Sequence, residues 1–496
     1  MKAQHIYKLM VRYLLSIGIL SFALCSLAMG EGIKIVRYRL IEGSILVDDC
    51  TICGRPPLPI PIRGSFWLEK VDENPLFTDF LVRDLTFTDT FTGTDYEGRL
   101  EGTYRIGGEV AIVQRMTLQG RINKRENLEF DSNSVPAQAP FPWIEIDLRQ
   151  LPPTDPLQTF SFHIVAVPWP RVLFSTETSF TSSSSGIRNI SDGDLLSSSG
   201  RVIYTNRELT ARLGITPPSP EIGLDAVMEC PGLMSPPPAG SDWPSYEVLF
   251  SVEQDIFSEK VGMLHDGDIL SNAGYIFRRN SELVKAFLPE SATMDYGLDA
   301  LTLGGPDGPV LFSTEKGFFS KRLGESIGDG DLLCEDGFIF KRIGDLLANF
   351  HPIEPRPIPF GLDAVYVWPH GEVWFSIEVD FADGQLGTIG HGDLLSDRGR
   401  VIMRNSELIA PFRPVGNVGD VGLDGLQVIP KFCAADFNMD GKINFADLSI
   451  FAQAWMSKPG DMEWNPDCDI NIPADNIVDT LDLVVFAEEW LGSGCP

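Results

Sequence analysis

One stretch recurs four times along the chain: Val172-Leu173-Phe174-Ser175-Thr176-Glu177, Val248-Leu249-Phe250-Ser251-Val252-Glu253, Val310-Leu311-Phe312-Ser313-Thr314-Glu315 and Val373-Trp374-Phe375-Ser376-Ile377-Glu378. Each copy is a short apolar run, rich in β-branched and aromatic residues, that ends on a carboxylate. That composition predicts a buried strand running out to a polar edge. A Gly-Asp-Leu/Ile-Leu turn follows each copy, with its aspartate at Asp194, Asp268, Asp331 and Asp393. A second strand is expected at 202–205, 275–278, 338–341 and 401–404. Each copy then closes on Gly-Leu-Asp, at Asp225, Asp299, Asp363 and Asp424, before a last apolar strand. The phenylalanines lie 76, 62 and 63 residues apart, and the longer first interval holds a proline-rich insert, Cys230 to Trp243.

The repeats span 171–230, 247–304, 309–368 and 372–430, within a repeat region of 168–430. One unit of three or four short strands cannot bury a face alone, whereas stacked or circularised copies can. The last strand of one copy runs almost straight into the first of the next, as in Val365 to Phe375. Short joints of this kind suit radial blades, so a propeller-like ring is expected, with a linear β array as the second choice. Three carboxylates recur per copy, Glu177, Asp194 and Asp225 in the first. They could hold calcium. Aspartates in such turns also bond their own backbone two residues on, and that turn-fixing role is preferred here.

Residues 31–167 alternate apolar and polar side chains in runs at 33–41, 62–71, 80–87, 97–106, 109–122, 143–148 and 159–167. Gly107-Gly108 punctuates two of them as a hairpin. Seven to nine strands in about 130 residues predict an antiparallel sandwich or barrel. Its opening, Tyr38-Arg39-Leu40-Ile41-Glu42-Gly43-Ser44 through Cys50-x-x-Cys53-Gly54-Arg55-Pro56, resembles one found in secreted proteins of planctomycete-type bacteria, a resemblance that carries no activity.

The end of the chain reads differently. In Asp436 to Asp447, oxygen-bearing side chains fall at loop positions 1, 3, 5, 9 and 12: Asp436, Asn438, Asp440, Asn444 and Asp447. Gly441 holds position 6, where the loop turns sharply, and Lys442 offers its backbone carbonyl at position 7. This is the spacing of an EF-hand-type calcium loop. A second, irregular loop places Asp469, Asn471, Asp475, Ile477, Asp479 and Asp482 in the corresponding roles, around an inserted Pro473-Ala474. After each loop comes the same amphipathic pattern, Leu448, Phe451 and Trp455, then Leu483, Phe486 and Trp490, at the period of a helix with one buried face.

Two loop–helix units with aspartate at position 12 resemble the dockerin family over about residues 433–496. The resemblance implies a small calcium-dependent module that docks a secreted protein onto a cohesin-type partner, often in polysaccharide-degrading assemblies. The family usually reads its partner with small hydroxyl residues at loop positions 10 and 11. This chain has Phe445-Ala446 and Thr480-Leu481 there, a departure that sets ordinary cohesin recognition in question while leaving the calcium loop intact.

The formal charge is −30, and residues 433–496, with 12 acidic and 2 basic side chains, supply −10 of it. Such a surface excludes nucleic acid, whose phosphates need a basic face. Residues 1–30 read as a signal peptide: Lys2, Lys8 and Arg12 precede an apolar run from Leu14 to Leu27 and a small-residue cleavage site. No other stretch is long enough to span a bilayer. The expected location is therefore extracellular or in the cell envelope. Seven cysteines follow the signal, at 50, 53, 230, 334, 433, 468 and 495. Export permits disulfides; Cys50–Cys53 is a candidate, and a pair is expected among Cys433, Cys468 and Cys495. Catalytic signatures are poor. Gly324-Glu325-Ser326-Ile327-Gly328 matches a nucleophile-elbow string, which needs a strand before it and a helix after it. The sequence thus reads as a mainly β, secreted, calcium-binding, non-catalytic repeat protein attached through its tail. The alternatives are a polysaccharide-active enzyme (a glycoside hydrolase) or carbohydrate-binding accessory, and a structural envelope protein.

Overall fold

A computed structural model describes residues 35–90, 95–109, 111–139, 141–169, 171–183, 188–216, 221–229, 247–304, 308–353, 360–368, 370–429, 435, 437, 443–458, 461, 463–470 and 477–491. The chain divides into two units. One comprises residues 1–170 and 430–496, the other Arg171–Ile429.

The first unit contains ten antiparallel strands: β1 (Ile35–Leu40), β2 (Ile45–Asp49), β3 (Leu58–Glu73), β4 (Phe77–Asp89), β5 (Glu97–Gly107), β6 (Val113–Ile122), β7 (Arg125–Asp131), β8 (Val135–Pro136), β9 (Ile144–Gln150) and β10 (Thr159–Pro168). The pairing runs β10-β2-β3-β4-β5-β6-β7-β9 and returns to β10. The sheet is therefore closed, and barrel rather than sandwich is the outcome. β1 and β2 share one position, since both pair β10 on one side and β3 on the other. Alternation does the sorting. In β6, Gln114, Met116, Leu118 and Ile122 are buried, while Arg115, Gln119 and Arg121 face out. The expected run 109–122 is shorter in the fold, because Gly107 and Gly108, both at φ +147°, make the turn and the strand resumes only at Val113. β2, β7 and β8 were not anticipated; they are short or carry few apolar residues. The interior is filled by Tyr38, Phe66, Tyr104, Phe130, Phe162 and the aliphatic side chains around them. Cys50 and Cys53 are joined as a disulfide.

Also in this unit, the tail folds as two helices, Phe445–Ala454 and Thr480–Leu491. Phe437, Phe451 and Phe486 stack between them, with centroids 5.5–5.9 Å apart. Trp67 of the barrel joins that apolar cluster. Cys433 and Cys495 lie outside the described residues, and Cys468 is buried.

The second unit is a ring of four four-stranded antiparallel sheets, arranged like a four-bladed β-propeller. From the centre outward, blade I is built from Leu426–Ile429, Arg171–Phe174, Leu195–Ser197 and Arg201–Tyr204. Blade II comprises Val227–Glu229, Val248–Phe250, Ile269–Ser271 and Tyr275–Arg278. Blade III comprises Leu301–Leu303, Val310–Phe312, Leu332–Cys334 and Phe338–Lys341; blade IV comprises Leu362–Val367, Val373–Ile377, Leu394–Ser396 and Arg400–Met403. The innermost strands touch one another in cyclic order. Each blade is offset from its sequence repeat by one strand. The last strand of a repeat supplies the innermost strand of the next blade, and the last strand of the fourth repeat returns to pair with Arg171–Phe174 of the first, Leu426 opposite Phe174. A small two-stranded hairpin accompanies every blade.

The ring is tied from blade to blade by the serine of each repeated stretch. Ser175, Ser251, Ser313 and Ser376 are fully buried. Their hydroxyls donate to the carbonyls of Leu224, Leu298, Leu362 and Leu423 at 2.6, 3.5, 2.9 and 2.7 Å, each in the blade that follows. Gly324–Gly328 forms part of the hairpin Phe318–Ser320/Glu325–Ile327, not a strand-to-helix elbow, so Ser326 has none of the setting a nucleophile needs.

Candidate metal centres

In the tail, Asp436, Asn438, Asp440, Lys442, Asn471 and Asp475 lie outside the described residues. Asn444, Asp447, Asp469, Ile477, Asp479 and Asp482 lie within them. The two position-12 aspartates, Asp447 and Asp482, are fully buried. Asp447 Oδ2 accepts from the Asn444 amide at 2.9 Å, and Asp482 Oδ2 accepts from the Asp479 amide at 2.8 Å. Asp482 Oδ1 also accepts from the Ile470 amide at 2.6 Å. Each carboxylate is thus turned back into its own loop, at the start of the helix that carries it.

In the propeller the three repeated carboxylates separate into two roles. The Gly-Asp aspartates fix turns. Asp393 accepts from the amides of Gly390 (3.0 Å) and Asn405 (2.9 Å) and from the Arg404 guanidinium (2.7 Å). Asp194, Asp268 and Asp331 likewise accept the amide that opens the short helix after the outer strand. Arg279 and Arg342 pair with Asp268 and Asp331. The sequence reading missed the asparagines that begin three of these helices. Asn206, Asn280 and Asn405 donate their side-chain N–H to the carbonyls of Gly223, Gly297 and Gly422, which holds the Gly-Leu-Asp loops in place. The signal was there, in Arg279-Asn280-Ser281-Glu282-Leu283 and Arg404-Asn405-Ser406-Glu407-Leu408.

The other two sets converge on the ring axis. Each Gly-Leu-Asp lies where the innermost strand begins, and each glutamate lies just past the neighbouring strand of the same blade. The glycines make this approach feasible. A Cβ on Gly223, Gly297, Gly361 or Gly422 would fall 2.2, 2.4, 2.0 or 2.4 Å from the side chain of Glu253, Glu315, Glu378 or Glu177. The aspartates sit deepest: Asp299 is 7% and Asp424 5% exposed. Oδ2 of Asp225, Asp299 and Asp363 and Oε1 of Glu177 are buried and accept no hydrogen bond among the described residues. Carboxylate oxygens of Glu177, Asp363 and Asp424 all lie within 4.8 Å of one another.

The electrostatics follow from that crowding. Burial, and then the charge of neighbouring axial and rim carboxylates, push Asp225, Asp299, Asp363 and Asp424 well above the usual carboxylate range. Glu253 is pushed up to about 7 by burial, with Asp192, Glu177 and Glu315 adding to it. Glu177, Glu315 and Glu378 shift the same way, chiefly by burial. A third tier rims the axis. Asp192, Asp266, Asp329 and His391 stand at one repeat position, each beside the glutamate of the adjoining blade. Lys316 and His391 bring basic groups to this rim. Lys316 Nζ lies 3.6 Å from Glu315 and 3.7 Å from Asp266. His391 bonds Asp380 at 2.7 Å and lies 3.9 Å from both Glu177 and Asp420. Burial lowers the His391 pKa, but Asp380 and the facing Glu177 and Asp420 outweigh it and raise the imidazole above its ordinary value.

Eight carboxylates round one axis, several of their oxygens without donors, match what a hard divalent cation requires: six to eight oxygens and negative charge to balance its own. Without a cation, like charges this close must take up protons instead. Comparison of the chain with protein-family models, with curated proteins and with solved structures found no match.

Proposed function

We propose that this is an exported, non-catalytic, calcium-binding repeat protein. Its propeller holds a divalent cation on the axis, and its C-terminal pair of dockerin-like loop–helix units, loaded with calcium, attaches it to a protein partner or a surface. One observation carries the reading. Carboxylates from all four blades meet at the ring centre and present buried oxygens that no donor among the described residues satisfies, and leaving buried polar groups without compensation is costly. Fourfold repetition also favours a binding role over catalysis, since a reaction needs one acid and one base set apart rather than equal copies. Calcium suits the all-oxygen donor set of the two deep tiers better than a softer metal, which would seek imidazole or thiolate.

The test is a calcium count by equilibrium dialysis on the mature chain and on the Asp363→Asn/Asp424→Asn variant. The variant is expected to hold fewer calcium ions per chain than the unmodified protein, with the tail loops still filled. Equal counts for the two proteins would remove the axial site from the proposal.

A further inference from the structure

Blades II, III and IV have something blade I lacks. In each of them the two innermost strands form a hairpin continuous in sequence, so the Gly-Leu-Asp aspartate and the glutamate are joined through the chain. Asp225 and Glu253 flank Val227–Glu229 and Val248–Phe250; Asp299 and Glu315 flank Leu301–Leu303 and Val310–Phe312. In blade I the same two positions are Asp424 and Glu177, almost the whole ring apart in sequence. Their strands, Leu426–Ile429 and Arg171–Phe174, are joined by no chain connection within the ring; they meet through four residue pairs of β-ladder, and just beyond it the Thr178 amide donates to the Val421 carbonyl. Ser175 adds a bond across this seam, accepting from the Gly425 amide at 2.7 Å. Both chain connections leave the propeller here, because the unit begins at Arg171 and ends at Ile429.

The close carboxylate triplet falls on the seam. Glu177 follows the first strand of the ring, Asp424 precedes the last, and Asp363 reaches in from blade IV, with ligand oxygens inside 4.8 Å. Asp424 is 5% exposed, and the buried Oδ2 of Asp363 and Oε1 of Glu177 have no donor among the described residues. Gly422, at φ +76°, leaves the space into which Glu177 folds. The deep tier is not symmetric in its use: the oxygens gather where the ring lacks a covalent joint.

Resting on the cation-binding reading above, we infer that the cation is held off-centre by Glu177, Asp363 and Asp424 and acts as the clasp that closes the propeller, taking the place in blade I of the hairpin that links the same positions in the other blades. An oxygen-seeking divalent ion bridging Glu177 and Asp424 ties the first strand of the ring to the last. Its removal leaves like charges facing each other across the seam.

Amide hydrogen exchange on the full chain tests this, with calcium and with chelator. On chelation, exchange in Arg171–Phe174 and Leu426–Ile429 is expected to speed up by about tenfold or more, while Val227–Glu229 and Val248–Phe250 change far less, because local opening reads out local stabilisation. Asp363→Asn, which lies outside both seam strands, should show the faster seam exchange even in calcium. Asp79→Asn, on the barrel surface and outside the axial tier, should retain the calcium response. Equal change in all four blades, or none at the seam while the axial calcium count stands, overturns the clasp. Loss of the axial count itself overturns the cation reading beneath it, so the two failures are told apart by the same samples.

Discussion

Asp48 in the barrel and Asp299 in the propeller are the same residue at nearly the same burial, 3% and 7% exposed, and their carboxylates shift in opposite directions. Burial raises both. At Asp48 it is outweighed by the Gln158 amide at 2.7 Å, the Tyr96 hydroxyl at 2.7 Å and the Arg55 guanidinium, and the pKa falls below its usual value. Asp299 has Glu378 and Glu315 for neighbours instead, and rises. The barrel follows this rule widely: Asp79, Asp84, Asp131 and Asp155 each face an arginine. So do the turn aspartates of three propeller blades. Around the propeller axis acids face acids instead, the setting that the proposed axial cation would answer.

The contrast gives its largest effect within the propeller. Asp393→Ala removes the acceptor for the Gly390 and Asn405 amides and the ion-pair partner of Arg404, and should destabilise the ring by about 3 kcal/mol. Asp363→Asn, in the chelated protein at pH 7.5, should instead raise the melting temperature, because the unfolded chain ionises this carboxyl freely while the folded axis disfavours its charge, a penalty that asparagine does not carry. Denaturant unfolding of the two variants should give opposite signs. If both destabilise alike, the axial aspartates are satisfied by something other than a cation.

The next effect is a pH dependence of unusual sign. A carboxylate whose folded pKa lies above its unfolded one keeps protons in the native state that the unfolded chain has already lost. The stability it contributes is present below the unfolded pKa and disappears as pH rises through the folded one. With Glu253 pushed up to about 7 and the four axial aspartates also raised, the chelated protein should lose several degrees of melting temperature between pH 5 and 7.5. Calcium should flatten the curve. A flat melting profile without calcium would show that the axial charges are not coupled as their positions require.

Much of the fold could be read in the sequence, because it is periodic. Four copies of the Phe-Ser-x-Glu strand and the Gly-Leu-Asp turn announced a ring of small sheets, and strict alternation announced an antiparallel β domain without deciding between sandwich and barrel. The offset of one strand between repeat and blade was not legible, since the same residues serve either partition until a partner strand is chosen. The site was half legible. Asp194, Asp225 and Glu177 look alike in a repeat, and only the ring sends Asp194 outward to cap a helix and Asp225 and Glu177 inward to the axis. The wish to assign all three to turns fails for this reason: turn chemistry is local, whereas convergence depends on residues as far apart as Glu177 and Asp424. Asp447 and Asp482 show the reverse case, where the contact is local: each carboxylate accepts the amide three residues before it, within one short stretch of sequence.

A smaller effect probes how the glycines make room. Gly422 and Gly416 share a positive φ, +76° and +89°, but a Cβ at Gly422 would strike Glu177 whereas one at Gly416 meets nothing within 4 Å. Alanine at Gly416 carries backbone strain alone, about 1 kcal/mol; at Gly422 it adds displacement of Glu177, for about 2 kcal/mol in total. The difference should appear as weaker calcium binding in Gly422→Ala only. Equal calcium affinity in the two variants would mean that Glu177 need not fold against that glycine to serve as a ligand.

The smallest effect closes the comparison at the barrel surface. Arg105 and Asp79 form a two-pronged pair at 2.5 and 2.9 Å, a better geometry than any bond at the propeller axis, yet the arginine is 58% exposed. Water and salt screen such a pair, and ordering the long side chain offsets part of the attraction, so Arg105→Ala should change stability by less than about 1 kcal/mol and less still at high salt. Asp79 left alone there is simply hydrated. The same loss of a partner at Asp393 or Asp48 strands a buried charge and costs several times more. A large, salt-insensitive loss on Arg105→Ala would mean that proximity, not burial, sets the worth of these pairs, and the case for a cation among the buried axial acids would weaken with it.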